Sequence, residues 1–497
     1  MSDIVVCPHN AVYNVIECDD GVAADLHDYF SFEAPNAQWV IRRAQQKAKL
    51  LGMPTRFSGW NGRINLFQKK THKLYAGLNE RLEMFAQDRN LSIQYDYKIS
   101  ETEFSVVEAR EFIKTLNLPE KYDERYYQLE TFIHNVRNRR NLNLSPTGSG
   151  KSMMIYLLMC YLKQPKTLII VPTLTLMHQM LSGFKEYGFD VDNKVQIIWA
   201  GTDKEIDTNR QVIISTWQSI YNMNKDYFKE FRMVVVDEVH GADSKSIKGI
   251  MEKLTLCLYR FGYTGTLKDS KCHRLVLEGL FGPIYQSATT QELIEAKYLV
   301  DLRIKALVLQ YDENICKACR RLDYQGEIDF LTTHDKRNRF IQNLALSLEG
   351  NTLLLFRMID HGKLFYQNIR SQCPDIRPVY LIYGGTPGEE REQIRQILNK
   401  EKNAILVGSY GTVSTAIDIP SLQHVIFGSP YKSKIKILQS IGRGLRPHVD
   451  KQELTIFDIA DDLTHKRHQN FTIKHYVDRI KLYNEEKFKY KIYRIGI

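Results

Sequence analysis

The chain has 497 residues, 43% of them hydrophobic and 25% charged, a composition that is typical of globular proteins and excludes a largely disordered chain. Its formal net charge of +10 favours polyanionic partners without specifying which kind. A membrane span and a secretory signal are not expected, because no run of about 18 apolar residues occurs and the first residues lack a basic start followed by an apolar segment.

The eight cysteines are scattered along the chain and form no disulfide framework, so a reduced, intracellular location is expected. Cys316 and Cys319 form a single CxxC pair, which is a weak indication of zinc without a second pair or nearby histidines. At roughly 100–200 residues per domain, the length predicts about three domains.

Residues 1–110 are predicted to form a small basic α/β accessory domain. A helix is predicted over Ala37–Leu51, and the Gly52-Met53-Pro54 segment ends it. A β-hairpin is predicted from Arg63–Phe67 and Lys73–Tyr75. The polar side of the helix is basic and carries Arg42, Arg43, Lys47 and Lys49. This basic side favours nucleic-acid binding, and a purely structural or partner-binding domain is the alternative.

From residue 111 onward, short apolar strands alternate with amphipathic helices, a pattern typical of a parallel sheet covered by helices on both faces. The alternation occurs over 111–290 and again over 291–463, which predicts two related α/β domains with a hinge near 285–330. The predicted strands of the first series are Leu142–Leu144, Thr167–Val171, Val195–Ile198, Val212–Ser215, Met233–Val236 and Arg260–Tyr263. Those of the second series are Thr352–Phe356, Val379–Ile382, Ala404–Gly408, His424–Phe427 and Leu454–Asp458.

Residues 464–497 form a basic and aromatic C-terminal tail, with nine Lys or Arg against three Asp or Glu. The rings that alternate with the basic side chains are Tyr476, Tyr483, Phe488, Tyr490 and Tyr493. Such a segment can contact phosphates and stack its rings, or it can form an amphipathic terminal helix with a solvated basic face. The sequence leaves both interpretations open.

The segment Ser145–Ser152, with the sequence SPTGSGKS, follows a predicted strand and opens a predicted helix, as a phosphate-binding P-loop requires. Its glycines let the backbone N–H groups point inward and form an anion nest at the helix N-terminus. Lys151 is expected to reach the β- and γ-phosphates of ATP, and Ser152 is expected to bind Mg²⁺. The residues expected to hold the nucleotide are Pro146, Thr147, Gly148, Ser149, Gly150, Lys151 and Ser152.

About 85 residues further along, the apolar strand Met233–Val236 leads directly into Asp237-Glu238-Val239-His240. Asp237 is expected to hold Mg²⁺ through water, and Glu238 is expected to position or deprotonate the attacking water. A carboxylate pair at a strand end is common by itself. At this distance from a P-loop, the pair indicates ATP hydrolysis.

With these motifs, residues 125–450 resemble the core of the superfamily 2 helicases of the DExH type. The resemblance implies two RecA-like parallel-sheet domains in tandem, here preceded by the small α/β N-terminal domain. It assigns adenine recognition to Gln128 and coupling of hydrolysis to domain movement to Thr264 and Thr266. It assigns contacts with the nucleic-acid backbone to Pro172, Thr173 and Thr216. Each short threonine segment taken alone is equally compatible with a cap at a strand end.

The second series ends with QSIGRGLR at Gln439–Arg446, which matches the QxxGRxxR motif of this family at every fixed position. Two arginines three residues apart lie on one helical face and can converge on one phosphate cluster. By resemblance, Arg443 and Arg446 are arginine fingers that stabilise charge on the γ-phosphate, and Gln439 belongs to the same catalytic motif. The resemblance also assigns the ribose to Asp418, and the bound strand to Gly384, Gly385 and Thr415.

Within the superfamily, the order of parts and the total length are most similar to those of recombination and repair helicases that phages encode. This resemblance implies an ATP-dependent DNA helicase or translocase with 3′-to-5′ polarity. Its expected substrates are single-stranded DNA and branched DNA (forks and four-way junctions), with RNA–DNA hybrids as a further substrate. The resemblance also implies a monomer in the host cytoplasm, with a single-strand-binding or recombination protein as partner.

Two alternatives stay open at this point. One is a different motor, either a duplex-DNA translocase subunit or an RNA helicase. The other is a non-hydrolysing nucleic-acid-binding scaffold, although Lys151, Asp237 and Glu238 are all present and argue against the loss of hydrolysis.

Overall fold

The structure is a computed structural model. It describes residues 2–34, 37–50, 62–97, 102–120, 122, 124–241, 244–267, 273–373, 377–416, 419–430, 433–449 and 451–497. The chain forms two units: the first comprises Met1–Leu144, Ser152–Thr264 and Ser270–Ser287, and the second comprises Ser145–Lys151, Gly265–Asp269 and Ala288–Ile497. Among the described residues, we find no helix with the length and apolar character needed to cross a bilayer.

The N-terminal region of the first unit is a small α/β structure. Its strands are β1 (Ile4–Pro8), β2 (Tyr13–Glu17), β3 (Ser31–Glu33), β4 (Arg63–Asn65), β5 (Lys73–Tyr75) and β6 (Ile93–Tyr95). Its helices are α1 (Asp20–Tyr29), α2 (Ala37–Leu50), α3 (Asn79–Asp88) and α4 (Val106–Thr115). Strands β5, β2, β1 and β6 form a four-stranded sheet in that order. Helix α2 confirms the predicted basic helix.

The predicted hairpin is wrong, because its two strands belong to different sheets. Strand β5 pairs with β2, whereas β4 pairs with β3. Leu74 and Tyr75 of β5 are buried, so this strand joins the sheet that carries the core, whereas Arg63 and Asn65 of β4 stay exposed. The burial of the apolar side chains of β5 therefore determines its partner strand, and the short connection between β4 and β5 does not.

The rest of the first unit is built around a seven-stranded parallel sheet with the order β13-β7-β12-β11-β8-β10-β9. Its strands are β7 (Arg140–Leu144), β8 (Thr167–Val171), β9 (Val195–Ile198), β10 (Val212–Thr216), β11 (Met233–Val236), β12 (Tyr259–Thr264) and β13 (Ile284–Gln286). The helices are α5 (Tyr126–Asn138), α6 (Lys151–Leu162), α7 (Leu174–Glu186), α8 (Val191–Lys194), α9 (Trp217–Ile220), α10 (Ser244–Lys253) and α11 (Arg274–Phe281). All six predicted strands of the first series are confirmed. Every residue of β8 and β11 is buried, as expected for strands covered on both faces.

The second unit contains another seven-stranded parallel sheet, with the order β16-β17-β15-β18-β19-β14-β20. Its strands are β14 (Asp301–Gln310), β15 (Thr352–Phe356), β16 (Val379–Ile382), β17 (Ile405–Ser409), β18 (His424–Phe427), β19 (Glu453–Asp462) and β20 (Tyr490–Gly496). The helices are α12 (Thr290–Glu295), α13 (Glu313–Cys319), α14 (Tyr324–Thr333), α15 (Asp335–Ser347), α16 (Ile359–Gln372), α17 (Gly388–Lys400), α18 (Tyr410–Ala416), α19 (Lys434–Gly444) and α20 (Phe471–Glu485). All five predicted strands of the second series are confirmed.

Two segments that were expected outside the sheets belong to the second sheet. The hinge prediction is wrong for 301–310, which form β14 between β19 and β20. The C-terminal tail folds into α20 and the edge strand β20. Tyr476, Tyr483 and Phe488 are 7%, 0% and 4% exposed, so these rings pack in the core and are not accessible for stacking on bases.

Within the first unit, the N-terminal region is fastened to helices α10 and α11 by partly buried polar contacts. Arg81 donates two hydrogen bonds to the carboxylate of Glu278, at 2.9 and 3.1 Å, and Arg274 donates a third at 2.7 Å. The hydroxyls of Tyr13 and Tyr75 both donate to Glu252, at 2.7 and 2.6 Å. These contacts indicate a fixed attachment of the N-terminal region.

We expect the Glu278→Gln substitution to lower the free energy of unfolding by about 2–4 kcal/mol at pH 7, because two guanidinium groups lose their buried counter-charge. The Glu278 side chain is only 5% exposed. Burial raises the pKa of this carboxyl, but the hydrogen bonds from Arg81 and Arg274 outweigh burial, and its pKa lies below the ordinary 4.5. The stabilisation is therefore present above pH 4.5 and declines as the pH falls through the lowered pKa.

Urea unfolding of the wild type and the variant at several pH values measures this contribution. The difference in the free energy of unfolding between the wild type and the variant is expected to narrow below pH 4.5. Glu111→Gln, a substitution at an exposed carboxyl of α4 in the same unit, is the matched control. Equal stabilities of the Glu278 and Glu111 variants at pH 7 would contradict the assignment.

Candidate active site

The motifs of the first sheet follow the carboxyl ends of neighbouring strands. The P-loop follows β7, the Thr264-Gly265-Thr266 motif follows β12, and the Asp237-Glu238 pair follows β11. These three strands are adjacent in the order β7-β12-β11, and Leu144 at the end of β7 is paired with Thr264. The two threonine motifs assigned to nucleic acid follow β8 and β10, which come next in the sheet. The motifs assigned to the nucleotide thus lie beside the motifs assigned to nucleic acid along one edge of the sheet.

The P-loop has the backbone conformation that an anion nest requires. Gly148 and Gly150 have φ angles of +87° and +78°, a region in which a side chain would be strained. Between them, Ser149 donates its backbone N–H to the carbonyl of Pro146 at 3.2 Å. Lys151 is the first residue of α6. The glycines and the helix start therefore lie where the sequence predicted them.

Asp237 is buried, at 9% exposure, and its position is fixed by two hydrogen bonds. Its backbone N–H donates to the carbonyl of Ile170 at 2.9 Å, and its Oδ1 accepts the N–H of Glu238 at 3.0 Å. Glu238 itself has a φ of +50°, an unusual value for a residue other than glycine. Strain of this kind is concentrated at functional sites, and it fits a carboxylate held for a specific task.

His240 is a residue of this site to which the sequence reasoning gave no role. Its Nδ1 lies 2.7 Å from Oγ1 of Thr264 and 3.3 Å from Oε2 of Glu238. His240 and Thr264 are both buried. The imidazole therefore links the carboxylate motif to the coupling motif on the neighbouring strand. The sequence signal for this link was the histidine two residues after Glu238 in the Asp237-Glu238-Val239-His240 segment.

The oxygen ligands expected for Mg²⁺ fit that ion. Mg²⁺ is usually held in nucleotide sites by one or two protein oxygens together with phosphates and water. Asp237 and Ser152 supply a carboxylate and a hydroxyl of this kind. Among the described residues, no group of three or more His, Cys, Asp or Glu side chains is arranged to hold a metal without such a substrate.

Gln128, assigned to adenine, is a buried residue of α5, with 4% exposure. Its Oε1 accepts the backbone N–H of Arg125 at 3.3 Å, which closes the first turn of the helix. The side chain is therefore positioned by its own helix.

In the second unit, the arginine motif lies on α19, and its apolar residues anchor the helix. Ile441 and Leu445 are buried, whereas Arg443 and Arg446 are partly exposed. Within this unit the helix lies close to the P-loop: a Cβ on Gly442 would stand 2.7 Å from Cβ of Thr147. The glycine therefore permits a close approach between the arginine motif and the phosphate-binding loop.

The two threonines assigned to nucleic acid in the first sheet have local hydrogen-bonding roles as well. Oγ1 of Thr173 accepts the N–H of Leu176 at 3.3 Å and caps α7. Oγ1 of Thr216 lies 2.8 Å from Oγ of Ser219. A helix cap is thus present at Thr173 but not at Thr216. Contact with nucleic acid stays a prediction for Pro172, Thr173 and Thr216.

Three comparisons relate this chain to known proteins. Residues 3–100 match the family described as DNA helicase UvsW, N-terminal, residues 114–269 match Type III restriction enzyme, res subunit, and residues 335–448 match Helicase conserved C-terminal domain. The ATP-dependent DNA helicase uvsW of Enterobacteria phage T4 is 31% identical over 517 residues, which cover 100% of both chains. The chain belongs to the UvsW family of superfamily 2 helicases.

Further relatives agree with this membership. The crystal structure of T4 UvsW has a TM-score of 0.52 and 30% identity, and the match covers 99% of each chain. The DNA 3'-5' translocase XPB2 of Sulfurisphaera tokodaii is 26% identical over 371 residues, which are 68% of this chain and 82% of the relative. As a member of the UvsW family, the chain is an ATP-dependent DNA helicase, and its two parallel sheets are tandem RecA-like domains.

The remaining residues assigned through the superfamily 2 resemblance belong to the second series. Asp418 lies outside the described residues. Thr415 is on α18 and Gln439 is on α19, and in both cases only the backbone is described. Gly384 and Gly385 follow β16 and are exposed, and a Cβ on Gly384 would meet no atom within 4 Å. The Cα of Gly384 therefore faces open space on the side where a side chain would stand.

Proposed function

We propose that the chain couples hydrolysis of ATP with Mg²⁺ to the unwinding and branch migration of forked and four-way DNA, and of RNA–DNA hybrids, with 3′-to-5′ polarity. Recombination, repair and replication are the processes that use this activity. The similarity to T4 UvsW supports the proposal, because it extends over the whole chain and includes the N-terminal region.

The observation that carries the branched-DNA proposal is the exposed face of α2. This helix contains no Asp or Glu. Trp39 is 60% exposed, and the guanidinium of Arg43 lies 5.1 Å from the centre of its ring. Basic side chains bind phosphates, and an accessible ring beside them stacks on bases. Neither contact reads the base sequence.

A fork or four-way junction has DNA arms that lie outside the path of the single strand along which the motor moves. Helix α2 belongs to the same unit as the first RecA-like sheet, and the N-terminal region is fastened to that sheet through Glu252 and Glu278. A DNA arm bound at α2 would therefore stay at a fixed position relative to the strand contacts of this sheet. This arrangement supports recognition of junctions in preference to single strands.

In this proposal, each part of the motor has one role. Lys151 and the P-loop backbone bind the phosphates, Ser152 and Asp237 hold Mg²⁺, and Glu238 activates the attacking water. Arg443 and Arg446 stabilise the transferred charge, and Gln128 and Asp418 bind the adenosine. The strand contacts of the two domains grip the backbone alternately, so each hydrolysis cycle advances the motor. The residues assigned to these strand contacts are Pro172, Thr173, Thr216, Gly384, Gly385 and Thr415.

ATP hydrolysis measured with single-stranded DNA, duplex DNA, a four-way junction and RNA tests the proposal. We expect the greatest stimulation with the junction. We also expect Arg42→Gln/Arg43→Gln to raise the junction concentration for half-maximal stimulation by roughly fivefold or more, because two phosphate contacts are lost. Stimulation by single-stranded DNA should not change.

Lys185→Gln/Lys229→Gln is the matched control, since it removes two exposed cations from the same unit; their side chains are 64% and 57% exposed. Stimulation by RNA alone would indicate an RNA helicase, and no stimulation would favour a scaffold. Greatest stimulation by unbranched duplex would favour a duplex translocase; the relative XPB2 is named a DNA 3'-5' translocase. A monomeric state and a single-strand-binding or recombination protein as partner stay predictions.

A further inference from the structure

Two hollows in the second unit each have at least three Lys or Arg side chains in their lining. The larger, of about 790 Å³, lies at the amino ends of β14, β19 and β20 and includes Tyr490 and Tyr493. Its five Lys and Arg side chains share the lining with three carboxylates, and two of the five are in ion pairs: Arg303 with Glu453 at 2.9 Å, and Lys297 with Asp301 at 3.0 Å. This hollow is therefore a poor candidate for binding a polyanion.

The smaller hollow, of about 470 Å³, is much less compensated. It is lined by Arg320, His465, Lys466, Arg467 and His468, which we call the basic turn site. Within the described part of the chain, no ion pair involves Arg320, Lys466 or Arg467, and all three are exposed. The closest carboxylate oxygen to the imidazoles is Oε1 of Glu313, 4.0 Å from Nε2 of His465.

The basic turn site is held in a defined shape. His465 and His468 exchange two backbone hydrogen bonds of 3.1 Å, which close a tight turn with Lys466 and Arg467 at its tip. Lys466 has a φ of +54°. The buried Asn470 clamps the base of the segment, because its Oδ1 accepts the N–H of Leu463 at 3.0 Å. The cations are therefore presented by a fixed loop.

The strand that leads into this loop is also anchored. Asp461 in β19 accepts hydrogen bonds of 2.7 Å from both Arg337 and Tyr311, and the side chains of Asp461 and Arg337 are completely buried. Nδ2 of Asn470 donates to the carbonyl of Asp461 at 3.1 Å. The loop and the sheet therefore form one rigid support.

The position of the basic turn site in the sheet points to nucleic acid as the ligand. The turn follows β19 and Arg320 follows β14 through α13, and the last residues of these parallel strands, Asp462 and Gln310, are paired. Both segments thus lie at the carboxyl edge of the second sheet. The same edge carries Gly384 and Gly385 after β16, four strands from β19 and five from β14, or roughly 19–24 Å at the usual strand spacing.

We propose that the basic turn site is a second contact for the phosphate backbone of nucleic acid that also passes Gly384 and Gly385. This inference rests on the proposed function, because it assumes that the carboxyl edge of the second sheet binds the substrate. A distance of roughly 19–24 Å corresponds to about six to seven base-pair steps. The site therefore contacts a segment of DNA beyond the one held by the motor motifs, and it binds phosphates without reading bases.

The test compares Arg320→Gln/Lys466→Asn/Arg467→Gln with the wild type. Asparagine is used at position 466 because it tolerates a positive φ. Affinity for a fluorescent 20-base-pair duplex is measured between 50 and 300 mM salt. The magnitude of the slope of log affinity against log salt is expected to fall by about 2.7 units in the variant, since each of the three lost phosphate contacts removes about 0.9. ATP hydrolysis without DNA should be unchanged.

Lys297→Gln/Arg339→Gln/Lys481→Gln removes the same number of cations from the same unit, at side chains that are 72%, 72% and 65% exposed. An equal loss of slope in this control would show a general effect of net charge and overturn the proposal. An unchanged slope in the basic-turn variant would also overturn the proposal. So would a basic-turn variant that no longer binds an acidic peptide but still binds the duplex as the wild type does. Failure of DNA to stimulate even the wild type would instead refute the proposed function.

Discussion

Replacing Glu238 with glutamine is expected to lower kcat for DNA-stimulated ATP hydrolysis by about 10³-fold. A positioned general base contributes about 10²–10⁴ to a rate, and glutamine cannot accept the proton of the attacking water. The affinity for DNA should stay within about twofold of the wild-type value, because the substitution leaves the surfaces assigned to DNA unchanged and the strength of such binding comes mainly from phosphate contacts.

The structure makes Glu238→Gln a clean test. The side chains have the same shape, and the amide can still form a hydrogen bond with Nδ1 of His240, which lies 3.3 Å from Oε2 in the wild type. The backbone at this position has a φ of +50°, and both residues meet the same strain there. A folding defect is therefore not expected, and circular dichroism should show an unchanged thermal transition.

Steady-state hydrolysis at saturating single-stranded DNA measures kcat, and fluorescence anisotropy measures DNA affinity. Glu230→Gln, at an exposed carboxyl of the same unit, is the matched control and should keep full activity. Lys151→Ala should abolish hydrolysis through loss of phosphate binding, again with DNA affinity retained. Substantial DNA-stimulated hydrolysis by Glu238→Gln would sink the assigned mechanism.

Much of the fold could be predicted from sequence because buried parallel strands are recognisable locally. Strands such as β8 and β15 are continuous apolar runs in which every residue is buried. Such a run has few alternatives once helical segments flank it. The arrangement of two α/β domains after a small N-terminal region followed from this local signal.

Strands β14 and β20 were not predicted, and the reason is physical. Strand β14 mixes polar and apolar residues, and its first residues alternate between exposed and partly buried positions. Its partner β20 lies near the C-terminus, so that Ile304 is paired with Tyr490. The pairing of residues so distant in sequence depends on the assembled core, and no local pattern predicts it.

The active site likewise has features that the sequence predicts and features that only the structure shows. The P-loop and the Asp237-Glu238 pair could be predicted because their chemistry requires particular residues at particular spacings. The positive φ of Glu238 and the 2.7 Å contact between His240 and Thr264 could not be, because they depend on how β11 and β12 end side by side. Likewise, the sequence does not specify the side-chain partners of Thr173 and Thr216, which are the N–H of Leu176 and the hydroxyl of Ser219.

The second large effect is expected for Arg446→Ala, which should still bind ATP but hydrolyse it about 10³-fold more slowly. An arginine finger typically contributes about 10³–10⁵ to the rate of phosphoryl transfer, because it neutralises charge that develops only in the transition state. Ground-state binding depends mainly on the P-loop backbone and Lys151, so ATP affinity should change by less than about threefold.

The local structure supports the assignment of Arg446 and separates it from a folding role. The neighbouring Leu445 is completely buried, and its carbonyl accepts the N–H of Val300 at 2.9 Å, so the end of α19 is held by groups that the substitution leaves intact. Within the second unit, a Cβ on Gly148 of the P-loop would stand 3.9 Å from Cγ of Arg446. The side chain therefore starts beside the loop that binds the phosphates.

Binding of a fluorescent ATP analogue and single-turnover hydrolysis measure the two effects separately. Arg446→Lys should not restore the rate, because an ammonium lacks the planar fork of donors that a guanidinium presents to phosphate oxygens. Arg370→Ala, at an exposed arginine of α16, is the matched control and should hydrolyse ATP normally. If Arg446→Ala lost ATP affinity in proportion to its rate, the arginine would be a ground-state ligand of the nucleotide, and its role in the transition state would be refuted.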